Sequence, residues 1–263
     1  MSKNTITDLF YSGTSGLVLP FNKTQYPADF KDKSRLQYYS SLFKSVEINS
    51  VFYKLPKKET VTNWTESVPK DFRFTFKVPK VITHVPKLDF KLKDLTEFID
   101  VVEHIGDKKG CLLAQFPPSI TIEKIEQLKN LLETLTQVAQ PDSWKLAIEF
   151  RNSSWYEPKV QKLLSNFNAT MVLHDMKNSA TAWDDVDADF IYLRFHGPEP
   201  RYRGSYNDKF LKERAESISK WILEKKTVYA YFNNSLGDAF LNLQTLDTYV
   251  HSKKRFGNNF QKP

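Results

Sequence analysis

The stretch CLLAQFPPSITIEKIEQLKNLLETLTQVAQPDSWKLAIEF, Cys111–Phe150, decides the architecture. Its ends, Cys111–Phe116 and Leu146–Phe150, are apolar and aromatic runs of strand length, too short for helices. Between them Ile122, Ile125, Leu128, Leu131, Leu132 and Leu135 recur at helical spacing, so Ile122–Ala139 reads as an amphipathic helix with one apolar stripe. A strand, a helix and a second strand without a long linker form the unit of a parallel sheet.

The same alternation runs outward in both directions. Further strand candidates are Leu9–Ser12, Val46–Ile48, Phe72–Val78, Thr170–Leu173, Phe190–Phe195 and Val228–Phe232. Helical candidates are Ser34–Leu42, which starts on a capping serine, Lys57–Ser67, Leu92–His104, Pro158–Ser165, Asp208–Lys225 and Asp238–His251. The link Asn178–Asp187 carries only a weak helical pattern. Eight strand–helix units predict an α/β fold that closes into a single (β/α)8 TIM barrel. The chain is read as one domain, residues 1–263, with a frayed tail at 253–263.

Composition narrows the class without naming a function. The formal charge is +7, carried by 30 lysines against 8 arginines. Such lysines, scattered over predicted helices and loops, read first as solvated faces and second as a phosphate-binding surface. No apolar run is long enough to span a bilayer, so no membrane partner is expected. The start, MSKNTITDLF, has no signal-peptide pattern, and the single cysteine, Cys111, has no internal partner for a disulfide. A cytoplasmic location is therefore expected.

Polar residues gather at the C-terminal ends of the predicted strands, where this fold builds its sites. Glu47 and Asn49, Glu149 and Arg151, and Arg194 and His196 each lie two apart, so each pair shares one strand face. Lys77, Gln115, Asp175, Asn233 and Asn234 stand at other strand ends. Lys77, Arg151 and Arg194 suit an anionic group, because guanidinium presents a planar fork. Glu47, Glu149, Asp175 and His196 are the candidates for proton transfer, and Asn49, Asn233 and Asn234 for substrate binding. Glu149 and Arg151 are expected to serve a solvated ligand site, so that losing either would leave stability near the parent's.

Other readings are set beside these. No metal site is expected. His196, Glu149 and Asp175 allow a divalent ion, but three nearby cations disfavour it, and no HExxH or Cys/His spacing supports one. No cofactor motif occurs. Cys111, at the start of an apolar strand, reads as packing. His174 is expected on the strand face opposite Asp175. GTSG, Gly13–Gly16, can aim backbone N–H groups at an anion. Trp155, Tyr53, Tyr202 and Tyr206 can either wall a sugar or base or pack loops onto the barrel.

These motifs resemble the DUF72, or YecE-like, family. The matching segments are GTSG at Gly13–Gly16, VEINSVFYKLP at Val46–Pro56, FTFKVPKVITH at Phe74–His84 and LLAQFPPS at Leu112–Ser119. AIEFRNSSW at Ala147–Trp155, YLRFHG at Tyr192–Gly197 and VYAYFNN at Val228–Asn234 complete them. The chain departs from the family pattern at Leu17, where an aromatic is usual, and has Phe21 nearest to where a tryptophan commonly follows. The resemblance implies a TIM barrel with a pocket of Glu47, Asn49, Lys77, Glu149, Arg151, Arg194, His196 and Asn234, and it implies no established reaction. The residues favour an enzyme, a hydrolase, lyase or isomerase working by acid/base chemistry on a small anionic substrate. The alternative is a nucleic-acid-binding or endonuclease IV-like repair protein, by analogy of fold.

Overall fold

A computed structural model describes residues 8–139, 144–183 and 188–252. The expected tail at 253–263 and the end of the Asn178–Asp187 link lie outside them. Within 178–183 the chain makes turns and no helix.

The strands are β1 (Phe10–Thr14), β2 (Ser45–Ile48), β3 (Arg73–Lys77), β4 (Lys109–Gln115), β5 (Lys145–Glu149), β6 (Ala169–Met171), β7 (Leu173–His174) and β8 (Phe190–Phe195). A two-residue β9 (Arg203–Gly204), then β10 (Thr227–Phe232) and β11 (Leu236–Gly237), follow. The helices are α1 (Arg35–Leu42), α2 (Lys58–Glu66), α3 (Lys80–Thr83), α4 (Leu92–Val102), α5 (Ile125–Val138), α6 (Pro158–Ser165), α7 (Asp208–Leu223) and α8 (Ala239–Ser252).

All barrel pairings are parallel, in two sheets ordered β2-β3-β4-β5-β6 and β1-β10-β8-β7. Two seams join them. At one, β6 and β7 are a single extended segment interrupted at Val172, whose N–H still reaches Ile148 O on β5 at 2.9 Å. Its first half pairs with β5 and its second with β8. At the other, Ser15 bridges Glu47, and Gly16 N–H donates to Glu47 O at 2.8 Å. The result is the eight-stranded (β/α)8 barrel that the alternation predicts.

The helices start as their residues dictate. Ser34 accepts from Gln37 N–H at 3.1 Å while the Gln37 side chain accepts from Ser34 N–H at 2.7 Å, a reciprocal cap on α1. Asn207 caps α7 through Phe210 N–H. The long apolar stripe is one 3-10 turn, Ile122–Lys124, followed by α5.

Strand alternation divides the core. Odd positions of β4 and β5 (Cys111, Leu113, Ala147) face inward with Val172, Tyr192, Tyr229 and Tyr231. Their neighbours Leu112, Ala114, Ile148, Ile191 and Leu193 face the helices. The inner tyrosines plug the barrel, and two of them, Tyr192 and Tyr231, satisfy their hydroxyls within it. Tyr231 Oη lies 2.6 Å from Ser45 Oγ and 2.8 Å from Thr75 Oγ1. Above this plug the inward positions turn polar, and the site begins there.

Candidate functional site

Arg194, the last inward residue of β8, is 1% exposed and stands between two fully buried carboxylates. Its Nη1 donates to Glu149 Oε2 at 2.5 Å and its Nη2 to Glu47 Oε1 at 2.7 Å. Glu47 is also held by Ser15 Oγ at 2.5 Å and by the Tyr192 hydroxyl at 2.6 Å. Glu149 Oε1 lies 2.5 Å from Arg151 Nε, an ion pair set off the N–H axis, and 3.1 Å from His196 Nε2. Burial opposes the charge on Glu149, but Arg151 and Arg194 outweigh it and hold the carboxyl well below its ordinary range.

His196 is neutral. Burial drives its pKa down to about 3 despite Glu149. Its two contacts agree on one tautomer: Nε2–H donates to ionised Glu149, and Nδ1 accepts from Asn233 Nδ2 at 3.1 Å. Arg151 Nη2, 3.3 Å from that same Nε2, therefore meets a nitrogen that already carries a proton. Its Nη1 points at the sulfur of Met176, a weak acceptor. The outer edge of Arg151 thus lacks a strong acceptor.

Lys77 enters from β3. Its Nζ donates to Gln115 Oε1 at 2.9 Å and lies 4.1 Å from the Phe52 ring centroid. No carboxylate ion-pairs with it among the described residues. Burial, with the charge of Arg194, lowers its pKa to about 8. His84, stacked edge-on against Phe52, is pushed down to about 4 by burial and by the charges of Lys77 and Arg151.

Beside His196 opens a cavity of about 560 Å³ between the loops after β7 and β8. Met176, Glu199, Arg201, Tyr202 and Phe210 are among its walls. Arg201 and Tyr202 both hold left-handed backbone, at φ 62° each. There the chain turns into β9, which pairs with β11.

The sequence profile described as "Protein of unknown function DUF72" matches residues 11–262. The chain belongs to the DUF72 family. The UPF0759 protein YunF of Bacillus subtilis (strain 168) is 25% identical to it over 243 residues, 81% of this chain and 84% of that protein. The crystal structure of a DUF72 family protein from Thermotoga maritima MSB8 is 26% identical. It superposes at a TM-score of 0.76 over 92% of this chain and 99% of that one. A xylose isomerase-like TIM barrel/4-hydroxyphenylpyruvate dioxygenase fusion protein, 12% identical, matches at a TM-score of 0.55 over 97% of this chain and 45% of its own. That likeness is one of fold.

In this DUF72 protein two of the three same-face pairs, Glu149/Arg151 and Arg194/His196, meet in one mouth, and contacts knit Glu47, Glu149, Arg151, Arg194, His196 and Asn233 together. Asn49 follows β2 with helical backbone, at φ −86° and ψ −20°, where strand alternation no longer applies, and its buried Oδ1 has no hydrogen-bond partner. Other residues fall elsewhere. Asp175 is turned away from the ring: its carboxylate accepts from His196 N–H at 2.8 Å and from the Tyr206 hydroxyl. It is a buttress for the β8 end, and His174 takes the inward place. Asn234 donates to Gly204 O at 3.0 Å and Asn242 Oδ1 at 3.1 Å, and so fastens the β9 loop to α8. Both Nη atoms of Arg194 are taken by the two carboxylates, and its Nε is buried without a hydrogen-bond partner. Glu149 is a buried partner of two arginines, which argues against the expectation that its loss is harmless.

The GTSG segment is not an anion cradle either. Thr14 N–H goes to Tyr39 Oη, Ser15 N–H to Phe232 O and Gly16 N–H to Glu47 O. These donors close the barrel. Trp155 is buried, stacked on Phe150 at 4.5 Å, with its indole N–H on Ile120 O at 2.8 Å, and so packs a loop. Tyr206 is likewise committed, whereas Tyr53 and Tyr202 stay exposed.

Metal-ligating atoms of Glu149, His174 and His196 lie within 4.8 Å of one another, a set that includes His174 in place of Asp175. Their lone pairs and protons are already engaged. Glu149 serves two arginines, and His174 Nε2 faces Phe150 O at 3.0 Å while Nδ1 accepts from Met176 N–H at 3.3 Å. With two guanidinium groups on the shared carboxylate, this donor set fits a cation poorly.

Proposed function

We propose that this DUF72 protein is an enzyme acting on a small anionic substrate at the mouth of the barrel. One observation carries the reading. Arg151 and Lys77, both less buried than Arg194, present N–H groups that meet a thioether, an amide and a ring face, with no carboxylate across from those groups. Buried cations retain their cost unless a partner answers them, and a phosphate or carboxylate is such a partner.

The division of labour follows from the charges. Glu47 and Glu149 spend their lone pairs on Arg194, Ser15, Tyr192 and His196, so they orient the ring. Neutral His196, with both nitrogens engaged, presents a fixed imidazole. Lys77, with a pKa of about 8, is the group poised to gain or lose a proton near neutral pH.

A thermal-shift panel of phosphorylated and carboxylated metabolites tests the proposal. Near saturation a cognate anion contributes about 2.7 kcal/mol, which for a domain of this size raises Tm by roughly 5 to 10 °C. Lys77→Met should remove most of that rise, and in the parent the rise should shrink above about pH 8 as the ammonium is lost. A flat panel for the parent would end the proposal. Oligonucleotides belong in the same panel, since affinity that falls steeply with salt would favour the nucleic-acid alternative.

A further inference from the structure

Lys77 differs from an ordinary anion-binding lysine in its surroundings. Its stem rises from the inward face of β3, and one ammonium hydrogen is fixed on Gln115 Oε1 at 2.9 Å. The Phe52 ring covers one side at 4.1 Å. Asn49, the residue after β2, carries a buried acceptor without a partner. The charged groups bearing on Lys77 are Arg194, Glu149, Glu47 and Arg151. His84 stands on the same phenyl ring. An amine held beside cations and an aromatic wall, with no carboxylate bound to it, is how proteins prepare a lysine to act as a nucleophile.

We propose that Lys77 forms a Schiff base with a carbonyl group of the anionic substrate, whose charged end lies on the free edge of Arg151. This inference rests on the anion reading above and names its substrate class, an aldehyde or ketone bearing phosphate or carboxylate. The nitrogen lone pair makes the N–C bond while the carbonyl π pair moves to oxygen, and a proton passes from nitrogen to that oxygen. The carbinolamine then expels its hydroxyl, which leaves as water with one further proton. Amine and carbonyl thus give imine and water, with no oxidant or reductant. Gln115 orients the amine.

The lowered pKa supports the step. At pH 7 a lysine of pKa about 8 holds roughly 300-fold more free base than one at the ordinary 10.5.

The test is reductive trapping. The full chain is incubated at pH 7 with dihydroxyacetone phosphate or pyruvate, with acetone as a neutral control, and then with sodium borohydride. Intact mass and peptide mapping follow. The expected result is one adduct per chain at Lys77, formed at least tenfold faster than on any other lysine and weakly with acetone. Lys77→Arg, which keeps the charge, should abolish it, and mapping in the parent stands even if that variant folds poorly. Adducts spread evenly over surface lysines, or unchanged in Lys77→Arg, overturn the proposal. If anions raise Tm but nothing is trapped at Lys77, the Schiff base fails and the anion site survives. If neither occurs, both fail.

Discussion

Arg194 meets a carboxylate at each end of its guanidinium, and all three groups are removed from water. Such a triad is held by mutual compensation, so removing one member leaves the others charged and buried. Glu149→Gln should therefore cost about 3 to 5 kcal/mol, read as a fall in the urea midpoint with an unchanged slope. A loss below about 1 kcal/mol would mean that water reaches the ring. The pH sign follows from the depressed pKa of Glu149. Its stabilisation is complete above the ordinary carboxylate range and is lost only as pH falls far into acid. Which residues enter the ring was legible from spacing, because alternate strand positions share a face. Which of them stay free was not. That depends on partners such as Glu47 and Arg194, 147 residues apart, whose meeting no local pattern encodes. The same holds for Asp175 and His174. The strand β7 has two residues, too few for a period to show which of them faces inward.

Helix α8 carries a charge that the barrel does not welcome. Asp247 is partly exposed, but its Oδ1 is buried without a hydrogen-bond partner, and its pKa is raised by burial to about 7 against the pull of Ser12 and Lys44. An acid whose folded pKa lies above its unfolded value of 3.8 keeps its proton longer in the native state. Its favourable contribution is full below about pH 4 and is lost as pH rises toward 7. Asp247→Asn keeps an acceptor for Ser12 and carries no charge. Urea midpoints should match the parent near pH 4 and exceed it at pH 8, by an amount on the order of a few kcal/mol. Equal midpoints at pH 8 would count against an ionised, buried Asp247. The helix itself was legible, since its apolar positions repeat at helical spacing. The seating of Asp247 against β1 was not, because that contact joins the last helix to the first strand.

Closing the barrel depends on how nearly β1 approaches β2. An added Cβ at Gly13 would lie 2.1 Å from Ser45 O and 2.7 Å from Ser45 C, both backbone atoms of β2. Neither can yield without moving the strand, and the same carbonyl takes the Tyr39 hydroxyl at 3.2 Å. Gly16, three residues on, has a different constraint. It has open space around its Cα but a φ of +80°, so alanine there costs backbone strain of about 1 to 2 kcal/mol. The eight-stranded ring was readable from the alternation of strands and helices. Its closure was not, because GTSG reads locally as an anion loop and works instead through Glu47 O, Phe232 O and Tyr39 Oη. The two glycines therefore separate a local defect from a global one. Gly16→Ala should lower Tm by roughly 2 to 8 °C, and Gly13→Ala by more than about 10 °C. Gly13→Ala should also weaken near-ultraviolet circular dichroism, because parting β1 from β2 loosens the tyrosines packed inside the ring. If Gly16→Ala proves the worse of the two, the seam closes by something other than backbone contact at Gly13.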